Sequence, residues 1–179
     1  MLIKIFIALA VVVIVFAVVV ALQPSEFRVV RRTAISAPAA DVFAQVNDFH
    51  KWEVWSPWAK MDPAAKNSFE GALAGTGAIF KWAGNSAVGE GSMTITESRP
   101  NDLIRIRLDF LAPLAGTSYA EFTFKPEGNQ TAVTWSMTGK NSFIGRAVCL
   151  FINMDKMVGG NFERGLASIK AIAESAVKK

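Results

Sequence analysis

A chain of 179 residues with net charge +4, 51% hydrophobic and 19% charged residues, has room for one domain plus an anchor and little for a second domain. One cysteine, Cys149, and one histidine, His50, exclude an intrachain disulfide and a conventional His/Cys metal centre. The basic residues are scattered rather than gathered into a stripe, with Arg28, Arg31 and Arg32 early, Arg105 and Arg107 midway, and Lys178 and Lys179 last. No nucleic-acid partner is therefore expected, and no cofactor or metal is implied.

From Ile5 to Leu22 every residue is apolar, a run of about 18 that is long enough to span a bilayer as a helix. A secretory signal peptide is the alternative, with Val19-Val20-Ala21 as its small-residue site. Signal-peptide cores run roughly 7–15 residues, however. Residues 1–25 are read as a transmembrane anchor with a short linker, and 26–179 as the domain it carries. The membrane side stays open, because Lys4 flanks one end and the three early arginines the other. Those arginines could meet anionic headgroups. Strand alternation accounts equally for Arg28 and Arg32 as a solvated face.

Phe27 to Ile35 reads as a strand, broken at Ser36-Ala37-Pro38, and Ala39 to Val46 as a short helix with Val42, Phe43 and Val46 at helical spacing. Asp48 to Trp58 is an aromatic cluster limited by Pro57. Strand candidates follow at Ser68–Glu70, Ala78–Trp82, Ser92–Glu97, Leu103–Phe110, Tyr119–Lys125 and Ala132–Thr138. The last three alternate cleanly. Ile104, Ile106, Leu108 and Phe110 oppose Arg105, Arg107 and Asp109; Ala120, Phe122 and Phe124 oppose Glu121, Thr123 and Lys125; Val133, Trp135 and Met137 oppose Thr134, Ser136 and Thr138. One buried and one wet face is the mark of an antiparallel sheet. A short apolar helix spans Phe143–Phe151, with Cys149 expected as a buried, inert thiol. A longer helix runs from about Asp155 to the end, with Phe162, Leu166, Ile169, Ala173 and Ala176 as its apolar face and Gly159-Gly160 as a weak spot. Strands with helices gathered on one face give an α+β fold.

The segments Arg32-Thr33-Ala34-Ile35-Ser36-Ala37-Pro38, Trp52-Glu53-Val54-Trp55-Ser56-Pro57-Trp58, Gly89-Glu90-Gly91-Ser92-Met93-Thr94-Ile95 and Asn161-Phe162-Glu163-Arg164-Gly165-Leu166 resemble the polyketide cyclase/dehydrase-like proteins of the START-like, helix-grip superfamily (SRPBCC). The resemblance covers nearly everything after Ser25. It implies a curved antiparallel sheet gripping the long C-terminal helix, with a hydrophobic cavity between them, in a superfamily whose members bind lipids, sterols, polyketides or plant hormones.

The expected cavity residues are Trp55, Trp58, Phe80, Trp82, Phe110, Phe122, Trp135, Phe151, Met154, Met157 and Phe162. The same rings could equally form a solid core. Catalytic residues are not assignable. Asp109 and Glu121 fall on the wet phase; Glu70 and Glu90 border turns; and His50, Glu90 and Tyr119 are candidates without a recognisable motif. Three functions remain open at this point. The first is membrane-tethered binding or transfer of a hydrophobic small molecule or lipid. The second is a cyclase/dehydratase-type enzyme. The third is protein interaction through an outward-facing Trp52, Trp55 and Trp58.

Overall fold

The computed structural model describes residues 1–177; the helical end expected at Lys178 and Lys179 lies outside the described residues. The elements in order are α1 (Leu2–Ala21), β1 (Glu26–Ile35), α2 (Ala39–Val46), a 3-10 turn (Phe49–Lys51), α3 (Trp52–Trp55), α4 (Pro57–Met61), β2 (Lys66–Gly71), β3 (Ala78–Ala83), β4 (Glu90–Arg99), β5 (Leu103–Ala112), β6 (Gly116–Glu127), β7 (Gln130–Lys140), α5 (Phe143–Cys149) and α6 (Met154–Val177). The 20 residues of α1 extend about 30 Å, the thickness of a bilayer's hydrocarbon core. Nearly all its large side chains are exposed.

The strands form one antiparallel sheet ordered β1-β7-β6-β5-β4-β3-β2. Sequential strands pair through short turns, and β1 closes onto β7. The tightest turn is Gly128-Asn129 between β6 and β7, where Gly128 has φ +64°, the left-handed conformation a two-residue hairpin demands. Pairing register aligns the inward side chains into rungs. One rung runs Val29, Met137, Ala120, Ile106, Ile95 and another runs Phe27, Gly139, Ser118, Leu108, Met93, Phe80, Phe69. On the outer face the alternating polar residues pair with one another. Arg105 reaches Glu97 at 2.6 Å and Glu121 at 2.9 Å, and Lys81 reaches Glu70 at 2.7 Å. Such exposed pairs contribute at most about 1 kcal/mol each.

Helix α6 buries Phe162, Leu166, Ile169 and Ala173 against the sheet, while Ala176 stays exposed. The helix runs unbroken through Gly159-Gly160. Gly159 has a reason to lack a side chain: a Cβ there would strike the guanidinium of Arg31. Arg31 lies on the inward phase of β1 with Val29. It donates to Asp155 at 3.0 Å and to Glu163 at 2.6 Å. Farther along, Lys170 Nζ donates to the Ala34 carbonyl at 2.8 Å, and Glu174 accepts from the Ser36 amide at 2.8 Å. These contacts fix α6 along β1, at one side of the sheet.

Candidate functional site

The Trp-rich segment forms two short helices rather than one. Asp48 caps the 3-10 turn by accepting from the His50 amide at 2.9 Å. Pro57 then opens α4, at a position where its missing N–H costs nothing. This folding turns the tryptophans inward. Trp52 and Trp55 are buried, and their indole N–H groups donate to the carbonyls of Val46 and Gln45 at 2.9 and 3.0 Å. The outward-facing tryptophan patch considered from the sequence is therefore corrected: helical spacing alone cannot say which way a short helix faces.

Trp55, Phe122, Trp135 and Phe162 meet in the middle of the grip. Trp135 stacks on Phe162 at 4.0 Å and on Phe122 at 4.6 Å between ring centroids, and Trp55 presents an edge to Trp135 at 5.8 Å. Gly165 of α6 allows this closeness, since a Cβ there would lie 2.8 Å from the Trp135 ring. The rings fill the centre between sheet and helix. One polar atom is stranded among them: Trp135 Nε1 is buried without an acceptor.

Toward β3–β5 the helix no longer covers the sheet. Phe80, Trp82, Leu108 and Phe110 pack on the core from the concave face yet remain half-buried, as does Trp58 at the edge of the ring stack. Phe80 stacks on Trp82 at 6.0 Å, and Trp82 meets Phe110 edge-on at 6.0 Å. Gly91 keeps this strip close-set, because a Cβ there would sit 2.7 Å from the Trp82 ring. The strip is an apolar wall open on one side. Leu108 belongs to it and was not among the expected cavity residues, although the alternation of Leu103–Phe110 had already placed it on the inward phase.

Met154 is half-buried at the start of α6. Phe151 and Met157 are exposed and do not join the interior. Both were expected there, but Phe151 ends an apolar run that lies on the surface, and Met157, which follows Asp155 and Lys156, falls on the exposed side of α6. Cys149 lies in that surface run and is half-buried. Two open depressions among the described residues lie outside the ring-filled centre. One of about 480 Å³ is lined by Cys149–Met154. The other, about 430 Å³, adjoins the wall at Trp82 and Gly91 and otherwise lies on the outer face beside Lys66, Lys81, Glu90 and Leu111.

Of the catalytic candidates, Tyr119 is exposed on the outer face opposite Thr138 and Arg107. Glu90 is exposed at the start of β4, and Glu70 pairs with Lys81. His50 sits at the rim, stacked on Phe69 at 4.0 Å, with Nδ1 at 2.9 Å from Asp48. Asp109 is on the outer face. The Thr117 hydroxyl, donating at 2.7 Å, and then Arg107 hold its carboxyl below the usual range. No group of three or more His, Cys, Asp or Glu side chains suited to a metal occurs among the described residues.

The family described as "Polyketide cyclase / dehydrase and lipid transport" matches residues 26–174. The chain belongs to this family. Among solved structures, the Zhui aromatase/cyclase from a Streptomyces species is similar at 16% identity and a TM-score of 0.63, over 85% of this chain and 96% of that one. Protein CV1439 from Chromobacterium violaceum is similar at 17% identity and 0.59, over 85% and 99%. The Aha1 dimer from Colwellia psychrerythraea is similar at 16% identity and 0.57, over 83% and 96%. At these identities the likeness speaks for the helix-grip fold alone. No curated protein matches the chain. As a polyketide cyclase/dehydrase-like protein it has a fold of the kind that binds hydrophobic ligands.

Proposed function

We propose that this family member is a membrane-tethered binding or transfer module, residues 26–179 carried on a retained anchor at 1–25, for a hydrophobic small molecule of lipid or polyketide-like class. The observation that supports this most is the wall of Phe80, Trp82, Leu108 and Phe110, half-buried on the concave face away from α6, with Trp58 half-buried at the edge of the central ring stack. Apolar surface left wet forgoes about 25 cal/mol per Å², and an apolar ligand recovers it. Aromatic walls with few polar groups are the usual lining of such sites. The stranded Trp135 Nε1–H would donate to a ligand oxygen if the stack loosened around one. The neighbour named as an aromatase/cyclase makes aromatic polyketides a class to test beside lipids.

The test is native mass spectrometry of the full chain released from nanodiscs, with extraction of whatever it carries. The expected result is one apolar compound bound stoichiometrically and lost in Phe110→Asp. A chain that stays ligand-free when challenged with fatty acids and polycyclic aromatics would contradict the reading.

A second reading, catalysis of the cyclase/dehydratase type, is favoured by His50. Its ring stacks beside the wall on Phe69, and Asp48 engages Nδ1, which leaves Nε2 for proton transfer. Turnover of a polyketide-like substrate abolished in His50→Gln, with binding retained, would establish it. Equal turnover in that variant would dismiss it.

A further inference from the structure

The segment after β7 is built unlike the rest of the domain. Residues 141–154 contain no aspartate or glutamate and a single cation, Arg146. Helix α5 is mostly apolar, yet none of its residues is buried. Phe143 is 47% exposed, Ile144 61%, Phe151 80% and Ile152 42%. A cluster of large exposed apolar side chains on a small domain marks an interaction surface.

What α5 does touch is the end of α1. Val20 is fully buried, and Arg146 Nη1 donates to the carbonyl of Ala21 at 3.0 Å. Ala21 is the last residue of α1, and helices rise 1.5 Å per residue, so this junction sits within about 3 Å of the helix end. With α1 crossing a bilayer, α5 and the connection after it fall where acyl chains meet headgroups. Arg146 has no carboxylate partner among the described residues. Its Nε is buried without an acceptor, and its guanidinium lies 5.8 Å from the Phe143 ring centroid. With Nη1 on the Ala21 carbonyl and Nε shielded, Nη2 is the nitrogen left to meet a lipid phosphate.

We propose that residues 143–152 form a second, non-spanning foothold in the membrane interface beside α1. Phe143, Ile144, Phe151 and Ile152 enter the acyl boundary, and Arg146 sits at phosphate level. The occupant of this surface is lipid, because the surface continues from the end of the spanning helix and carries no acidic group to repel headgroups. The proposal rests on the reading of α1 as a retained anchor. It holds the start of α6, with Met154 and Met157, next to the bilayer.

The test uses the full chain in a Cys149→Ser background, reconstituted into phosphatidylcholine and phosphatidylglycerol vesicles. Spin labels are placed singly through Val12→Cys, Ile144→Cys, Phe151→Cys and Lys125→Cys, all at exposed positions. Depth is read from relaxation by oxygen against a water-soluble nickel chelate. The label at position 12 is expected in the bilayer interior, those at 144 and 151 at a depth of about 5–10 Å, and that at 125 in water. Labels at 144 and 151 as water-accessible as that at 125, with position 12 still in lipid, would overturn the foothold and leave the anchor standing. A label at position 12 in water would overturn the anchor and the foothold with it.

Discussion

Gly165 and Gly160 lie in the same helix and answer oppositely to the same substitution. A Cβ on Gly165 would meet Trp135 at 2.8 Å and Trp55 and Pro57 at 3.4 Å, whereas one on Gly160 meets nothing within 4 Å. The rings around Gly165 are locked in a stack and cannot retreat. Gly165→Ala is therefore expected to cost about 1–3 kcal/mol through overpacking, and Gly160→Ala to gain up to about 1 kcal/mol through helix propensity. Urea unfolding of the two variants in detergent checks both signs. Arg31 gives a pH dependence. Its hydrogen bonds hold the Asp155 carboxyl below the usual range, and the Ser36 amide does the same for Glu174. A depressed folded value means that the stabilisation is complete above the unfolded pKa of about 4 and is lost as pH falls through the folded one. Both carboxylates reach solvent, so the effect is modest and weakens with salt. Between about pH 6 and about pH 3, Asp155→Asn is expected to lose less melting temperature than the parent chain, having lost that contribution already. Neither role was legible in the sequence. Strand alternation put Arg28 and Arg32 on the wet face and left Arg31 in phase with Val29, but only the position of α6 shows which carboxylates Arg31 meets.

At the scale of elements, the sequence was legible wherever one face is buried and the other wet. The alternation in Leu103–Phe110, Tyr119–Lys125 and Ala132–Thr138 placed every inward residue of those segments on the correct phase, since period-two patterning admits no other register. The seam of α6 was legible for the same reason at period 3.6, up to Ala173. The pattern failed for α5, whose short apolar run has no polar phase to show which way it faces; in the Trp-rich segment spacing alone left open whether the rings face in or out, and the structure buries Trp52 and Trp55. The difference has a mechanical consequence. Leu166, buried in the α6 seam, is expected to cost about 2–5 kcal/mol on truncation to Ala. Phe151→Ala, although it removes a larger side chain, is expected to change domain stability by less than about 0.5 kcal/mol. Chemical unfolding of both variants in detergent separates them, and a Phe151→Ala cost as large as that of Leu166→Ala would place Phe151 in the core.

At the scale of the whole molecule, the α+β class follows from the strand and helix order and the helix grip from the family resemblance, while the use of the fold depends on two features the sequence left undecided. The first is whether the rings make a solid core or a usable surface. The structure divides them, with Trp55, Phe122, Trp135 and Phe162 closed in the centre, Trp58 half-open at the edge of that stack, and Phe80, Trp82 and Phe110 half-open toward β3–β5. The second is whether α1 is retained. The chain is expected to resist extraction from membranes by alkaline carbonate and to keep its full unprocessed mass; a product lacking the residues up to Ala21 would make the segment a signal peptide. The central claim, that a hydrophobic molecule lies against the concave aromatic wall, is tested most directly by photocrosslinking. The full chain in nanodiscs is irradiated with a diazirine-bearing fatty acid and the adducts are mapped by peptide mass. The account predicts adducts in Ala78–Ala83 and Leu103–Ala112, competed by unlabelled fatty acid and absent in Phe110→Asp. Adducts confined to α1 and residues 143–152, with none on β3 or β5, would contradict it.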